Sequence, residues 1–308
     1  MIELVGYTGF VGSNIYAQGG IDRGFHSQNI TEAYGTQPDL LIYAGMRAEK
    51  YLANTNPAAD LELVKQAQEN IRRIDPKKLV LISTVDVLKE PNGKDEDAFI
   101  ETDGLQTYGL NRYYLEQWVR EYHPDALIIR LPGLYGQNIK KNFIYDYINV
   151  IPFMLREAKF CELAQQVPLL RDCYELQSNG FYRCKALEAD AKEALKDEFR
   201  KLNFTALNFT DSRNVYQFYP LRRLWDDIQI ALAQNLKLWH PATEPVSAGE
   251  VYEYLTGQTF TNHITDQPVA YDFRTKYGKC FGDTEGYIMN KAQVLEDIRR
   301  FTEQMLHG

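Results

Sequence analysis

Tyr108 and Arg112 stand four residues apart in the stretch YGLNRYYLEQWV, at the head of a segment with helical apolar periodicity. That spacing puts both side chains on one helix face. A phenol beside a fixed positive charge can give and take a proton. The cation favours the phenolate of a group whose free pKa, near ~10, is otherwise too high for neutral pH. Ser83 and Thr84 close the apolar run KLVLIST, where a strand would deliver a hydroxyl to its carboxyl end, and Arg130, Pro132 and Gly136 follow in IIRLPGLYG.

A second cluster lies at the very start. GYTGFVG spaces Gly6, Gly9 and Gly12 as G-x-x-G-x-x-G around Thr8, Phe10 and Val11, directly after the strand-like IELV. Such a loop gives a tight turn, close backbone approach and a helix N-terminus that favours negative charge, which together suit the pyrophosphate of a dinucleotide. The acidic residue that would bind the adenosine ribose is missing, because FHSQNIT offers only Ser27, Gln28 and Asn29. NAD and NADP therefore both remain open.

These residues need a scaffold, and the first half of the chain supplies one. Strands are expected at Ile2–Val5, Phe25–Gln28, Leu40–Gly45, Lys78–Thr84 and Ala126–Leu131, the last three as apolar runs buried on both faces. Helices are expected at Pro57–Ile74, capped by Asn56, and at Tyr108–Tyr122. The link from the second to the third strand has room for one helical turn. This alternation predicts an α/β fold: a Rossmann-type, doubly wound parallel sheet with a smaller C-terminal substrate lobe. Residues 1–139 form the dinucleotide-binding core, with 206–240 returning to it. Residues 140–205 and 241–308 form the smaller lobe and a helical insertion. Its expected elements include a helix in Lys185–Leu202, a loop around Ser178–Gly180, a Ser-capped helix ending at Gly257 and a last helix from about Asn290. VYQFY reads as a strand, PLRRLWDDIQIALAQ as a helix and LKLWH as a strand.

Bulk properties narrow the function. A net charge of −8 with 25% charged residues argues against nucleic-acid partners, which need a basic face. No apolar run approaches the ~20 residues of a membrane span, and the expectation is a soluble cytoplasmic protein. Four cysteines without CxxC spacing read as free thiols, and five scattered histidines give no metal site.

Taken in order, these segments resemble the extended short-chain dehydrogenase/reductase family, the branch of nucleotide-sugar epimerases, dehydratases and reductases. The likeness runs over nearly the whole chain and is weakest between residues 140 and 210. YQFYPLRRLWDDI and LWHPATEPVSAGEVYEYL join it, and the compressed second-to-third strand link looks like the family's sugar 4-keto reductases. The resemblance implies a Ser/Thr–Tyr–Lys mechanism on NAD or NADP. Thr84 then fits the hydroxyl residue, with Ser83 as fallback, Tyr108 the acid/base, and Arg112 stands in the lysine's place. Pro132 fits the neighbourhood of the nicotinamide, Ala44 and Gly45 in YAGM the stretch along the cofactor, and Asn29 and Ile30 the adenine contact. The family's usual helix asparagine falls near Val64.

Arginine keeps its charge and five donors but cannot readily give up a proton, so Arg112 is expected to act on Tyr108 by electrostatics alone. Tyr287 and Lys291 form a true Y-x-x-x-K, but they lie outside the required strand order and read as chance. The implied substrate is a sugar or nucleotide sugar. Asn142, Arg213 and Arg222 are its candidate contacts, with Arg223, Lys140 and Lys141 as further cations. Asp86 without an adjacent glutamate weighs against dehydration. The helices at 57–74 and 108–122 correspond to those that pair relatives into homodimers. The competing reading is a non-catalytic NAD(P)-binding regulator or sensor on the same fold.

Overall fold

Apolar runs without alternation suit strands covered on both faces, and such runs make the centre of this molecule. The computed structural model describes residues 1–282 and 286–307. Strands β1 (Ile2–Val5), β2 (Arg23–Phe25), β3 (Leu40–Tyr43), β4 (Leu79–Thr84) and β5 (Leu127–Leu131) join a short strand at Leu238–Trp239 in one parallel sheet. Its order is Leu238–Trp239, β5, β4, β3, β1, β2. The chain therefore leaves β1 towards β2 and returns to β3 on the other side. That reversal opens a crevice at the carboxyl ends of β1 and β3, where doubly wound sheets bind ligands.

β2 lies two to three residues earlier than the sequence suggests. Arg23 and Gly24 look like turn residues, but an edge strand tolerates them, and Arg23 pairs with Glu3 of β1 at 3.4 Å. The link to β3 holds a single 3-10 turn at Ile30–Ala33.

Helix α1 (Phe10–Ala17) follows the glycine loop, and α2 (Lys50–Thr55) is a short element with no clear sequence signal. In α3 (Pro57–Ile74) the Asn56 side chain accepts from Ala59 N at 3.3 Å, and the helix ends at Asp75 in the left-handed region. α4 (Thr107–Tyr122) runs beside it. Val64, Ala67, Ile71 and Ile74 of α3 and Leu115 and Val119 of α4 pack on Leu41, Tyr43, Leu79, Leu81 and Ile128 of the sheet. Each Val, Leu or Ile among them contributes roughly 1.5–3 kcal/mol by leaving water.

Two compact units emerge: residues 1–139, 215–246 and 270–297, and residues 140–214, 247–269 and 298–308. Residues 270–297, expected in the smaller lobe, pack with the first unit. Buried Glu96 accepts Thr275 Oγ1 at 2.6 Å, Lys276 N at 2.9 Å and His240 N at 2.8 Å, and draws this segment to the sheet. VYQFY is split into strands at Val215–Tyr216 and Phe218–Pro220. Between them Gln217 turns inward to donate to Thr243 O and Phe273 O. The following helix opens with a 3-10 turn at Leu221–Arg223 before Leu224–Ala233.

The second unit holds more than helices. Met154–Arg156, Phe181–Cys184 and Tyr174–Leu176 form an antiparallel sheet, its hairpin turned at Gly180 with φ +79°. Phe160 stacks on Tyr182 at 3.7 Å, over a core that includes Leu163, Leu195 and Phe199. The helix within 185–202 begins at Ala189, and Ser247 with Glu250 forms a capping box on Ala248–Thr256. All four cysteines are free. Among the described residues no helix is long and apolar enough to cross a membrane, and no metal-holding cluster of His, Cys, Asp or Glu occurs.

Candidate active site

The glycine loop is fixed by contacts that exclude side chains. Gly6 has φ +92°, and a Cβ there would lie 2.5 Å from Ala44 O; one on Gly12 would lie 2.1 Å from Gly6 O. Gly9 donates from its N–H to Gly6 O at 2.9 Å and caps α1. Folded this way, the loop presents the first-turn amides of Phe10, Val11 and Gly12, which no helix satisfies internally, with Thr8 and Gly9 exposed beside them. Ala44 is held across from it by its N–H to Val5 O at 2.9 Å, and Gly45 lies against Val5 and Tyr43. The cradle fits a pyrophosphate, because its donors are backbone amides at a positive helix end and any side chain at 6 or 12 would destroy it.

Beyond β2, Asn29 Oδ1 accepts His26 N at 2.8 Å and closes the turn, and Ile30 packs against the core. Pro132 sits between β5 and the short strand Gly133–Tyr135, half-buried.

The proposed acid/base lies at the carboxyl end of β4. Thr84 Oγ1 donates to Asp86 Oδ2 at 3.0 Å and accepts from Asp86 N at 3.2 Å. α4 meets this turn closely because residue 109 is glycine: a Cβ there would lie 2.0 Å from Asp86 O. That contact brings Tyr108 beside the Thr84–Asp86 turn. The backbone N–H of Tyr108 donates to Asn54 Oδ1 at 3.0 Å, while its hydroxyl has no protein partner among the described residues.

Lys50 completes the group. Its ammonium donates to Asp86 Oδ1 at 2.7 Å and lies 5.9 Å from the centre of the Tyr108 ring. Burial works against the Lys50 charge. Asp86, with Tyr271 and Tyr108, outweighs it and holds the pKa above the usual lysine value.

Arg112 does turn inward, its guanidinium carbon 4.4 Å from the Tyr108 ring centre. It is not a naked charge. Nη1 donates to Asp60 Oδ2 at 2.6 Å, Nη2 to Arg47 O at 2.6 Å, and Asn111 Nδ2 also donates to Asp60 at 2.9 Å. Asp60 lies one helical turn before Val64, which is buried in the core. The expected net lowering of the phenol is not found. Burial raises the Tyr108 pKa, Asp86 and Asp60 add to it, and Arg112 and Lys50 only partly oppose.

Ser83, the fallback hydroxyl, is engaged away from Tyr108. Successive strand residues face opposite sides. Ser83 therefore points into the core, where Oγ donates to Glu116 Oε1 at 2.6 Å. Glu116 is gripped by Arg130 through Nη2 at 2.6 Å, and Arg130 Nη1 lies 3.4 Å from His240 Nε2. Arg130 and Glu116 are fully buried and bolt β5 to α4.

The candidate substrate contacts are engaged elsewhere. Asn142 Oδ1 caps its helix by accepting Tyr145 N at 3.1 Å. Arg213 is folded back on Asp211 through Nε at 2.9 Å and Nη2 at 2.8 Å, and also donates to Thr265 O. Arg222 pairs with Asp297, and Arg223 with Asp227 at 3.2 Å. Lys140 is exposed and Lys141 lies at the surface beside it. Tyr287 donates to Asp272 Oδ1 at 2.5 Å beneath Arg274.

Lys50 and Asp60 join the site without a sequence signal. A buried arginine implies an acidic partner, but Asp60 is 52 positions from Arg112. Nothing local marks Lys50.

No protein-family model and no curated protein matches the chain. Solved structures do. A dTDP-4-dehydrorhamnose reductase from Bacillus anthracis, in complex with NADP, superposes with TM-score 0.63 at 15% identity, covering 98% of this chain and 97% of its own. The corresponding reductase from Yersinia enterocolitica gives 0.63 at 12%, covering 99% of each. A UDP-glucuronic acid 4-epimerase variant from Bacillus cereus, in complex with NAD and a fluorinated UDP-sugar, gives 0.57 at 14%, covering 99% and 98%. At these identities what is shared is the architecture: this chain has the Rossmann-type fold of these reductases and of the epimerase.

Proposed function

We propose that the chain is an NAD(P)-dependent oxidoreductase or epimerase acting on a sugar or nucleotide sugar. The observation that carries this reading is the Tyr108 phenol, buried without a protein partner among the described residues and set against the Thr84–Asp86 turn, at the carboxyl edge of the sheet that also bears the glycine cradle. The reductases and epimerase described above share the fold and add weight. The nicotinamide, when bound, would supply or accept hydride. Tyr108 would exchange the proton on the substrate oxygen, Thr84 would hydrogen-bond that oxygen, and Arg112 would anchor α4 beneath the phenol.

The test has two arms. Fluorescence titration with NADH and with NADPH measures cofactor binding and preference. A nucleotide-sugar panel followed by cofactor absorbance measures turnover. Tyr108→Phe is expected to bind cofactor as the parent does and to lose about 10²–10⁴ of its rate. Binding with no difference in turnover between the two would favour the regulator or sensor. The exposed Leu63 of α3 and Tyr114 of α4 support pairing of two copies through these helices, which sedimentation at micromolar concentration would check.

A further inference from the structure

Arg112 leaves a vacancy in the chemistry. It cannot yield a proton at any ordinary pH, and its guanidinium is tied by Asp60 and by Arg47 O. Four charged side chains face Tyr108: Lys50 from α2, Asp60 from α3, Asp86 from the turn after β4, and Arg112 from its own helix. Lys50 is the one among them that is both cationic and able to discharge.

We propose that Lys50, held by Asp86, governs the ionisation of Tyr108 and is the acid that reprotonates it. This takes over the work that a lysine one turn along α4 would do. The Arg112–Asp60 pair is buried, with 4% and 7% of the side chains exposed, and fixed by several bonds. The Lys50 side chain is 52% exposed and makes one ion pair, to a carboxylate that Thr84 also shares. Its ammonium lies 5.9 Å from the Tyr108 ring centre, and the flexible four-carbon stem can swing it from Asp86 towards the phenolate, directly or through one water. In the reducing direction Tyr108 would give its O–H proton to the carbonyl oxygen, with the nicotinamide, when bound, as the hydride source. A Lys50 N–H proton then restores the phenol, and the neutral amine takes a proton from solvent. Asp86 receives the ammonium again once it is charged.

The turnover part rests on the reading above; the ionisation part does not. Both are tested with Lys50→Met and Lys50→Arg, each also made with Tyr108→Phe. The difference in phenolate absorbance within each pair isolates Tyr108 from the other tyrosines among 21. In the chain without cofactor, the Tyr108 midpoint in Lys50→Arg should lie below that in Lys50→Met by about half a pH unit or more. Equal midpoints would overturn the proposal. Lys50→Arg should keep cofactor affinity yet turn over at least about tenfold more slowly than the parent. Full turnover in Lys50→Arg would overturn the proton-donor role. A midpoint shift without cofactor binding in any variant would uphold the coupling of Lys50 to Tyr108 and instead refute the oxidoreductase reading.

Discussion

Arg112 Nη1 donates to Asp60 Oδ2 at 2.6 Å beneath the Tyr108 ring, so the cation expected to ionise the phenol is neutralised by a carboxylate from the neighbouring helix. Removing one partner strands the other in the interior. Asp60→Asn should therefore destabilise the protein by roughly 3–5 kcal/mol, whereas Asp60→Leu combined with Arg112→Met should recover most of that loss. Urea unfolding gives both numbers. An Asp60→Asn chain as stable as the parent would show that the pair carries no such weight.

Gly12→Ala tests the cradle. Its Cβ would fall 2.1 Å from Gly6 O, so the loop must open and its amides must leave their aim. NAD(P)H affinity should drop by about 100-fold or more, with a stability loss of about 1–3 kcal/mol. Fluorescence titration and thermal melting separate the two effects. Undiminished affinity would place the cofactor elsewhere.

His240 gives a pH signature. Burial, with Arg130 beside it, pushes its pKa down to about 3, so the folded state keeps it neutral while the unfolded chain protonates near the ordinary 6.5. The unfolded state then binds the extra proton, and stability falls as pH drops from 6.5 towards 3. The slope from this residue is about 1.4 kcal/mol per pH unit in mid-window. Chemical denaturation between pH 7 and pH 5 should show a shallower loss in His240→Gln than in the parent.

Asp146 has the opposite sign. Burial raises its pKa from 3.8 to about 7, so it folds best protonated. Its favourable contribution is complete below pH 3.8 and is lost as pH rises through 7. Asp146→Asn should stabilise the chain by roughly 1–3 kcal/mol at pH 8 and by little at pH 4. A stability gain that does not depend on pH would reject desolvation as the cause.

Much of this molecule could be read from local chemistry. Asn56–Pro57 announces α3, Ser247 with Glu250 opens its helix, and Gly6, Gly9 and Gly12 mark the cradle, because caps and tight turns are set within a few residues. What stayed hidden depends on distant partners. Asp60 meets Arg112, and Glu96 gathers Thr275 and His240, each across intervals that no local pattern encodes. Lys50 was hidden for another reason: α2 has only six residues, too few for a period to show. The strand at 174–176 and its partner at 181–184 were obscured by polar residues that an exposed hairpin tolerates.

The adjacent hydroxyls of β4 carry one more implication. Apolar alternation fixes how a strand is phased only when one face is wet, and Leu79–Ile82 is apolar throughout. Greasiness alone would let this segment slide. The Ser83–Glu116 bond favours the observed register, since a shift by one residue would take this serine away from the buried carboxylate that Arg130 also holds. Ser83, tied into the core, thus helps to hold Thr84 on the opposite face of the strand.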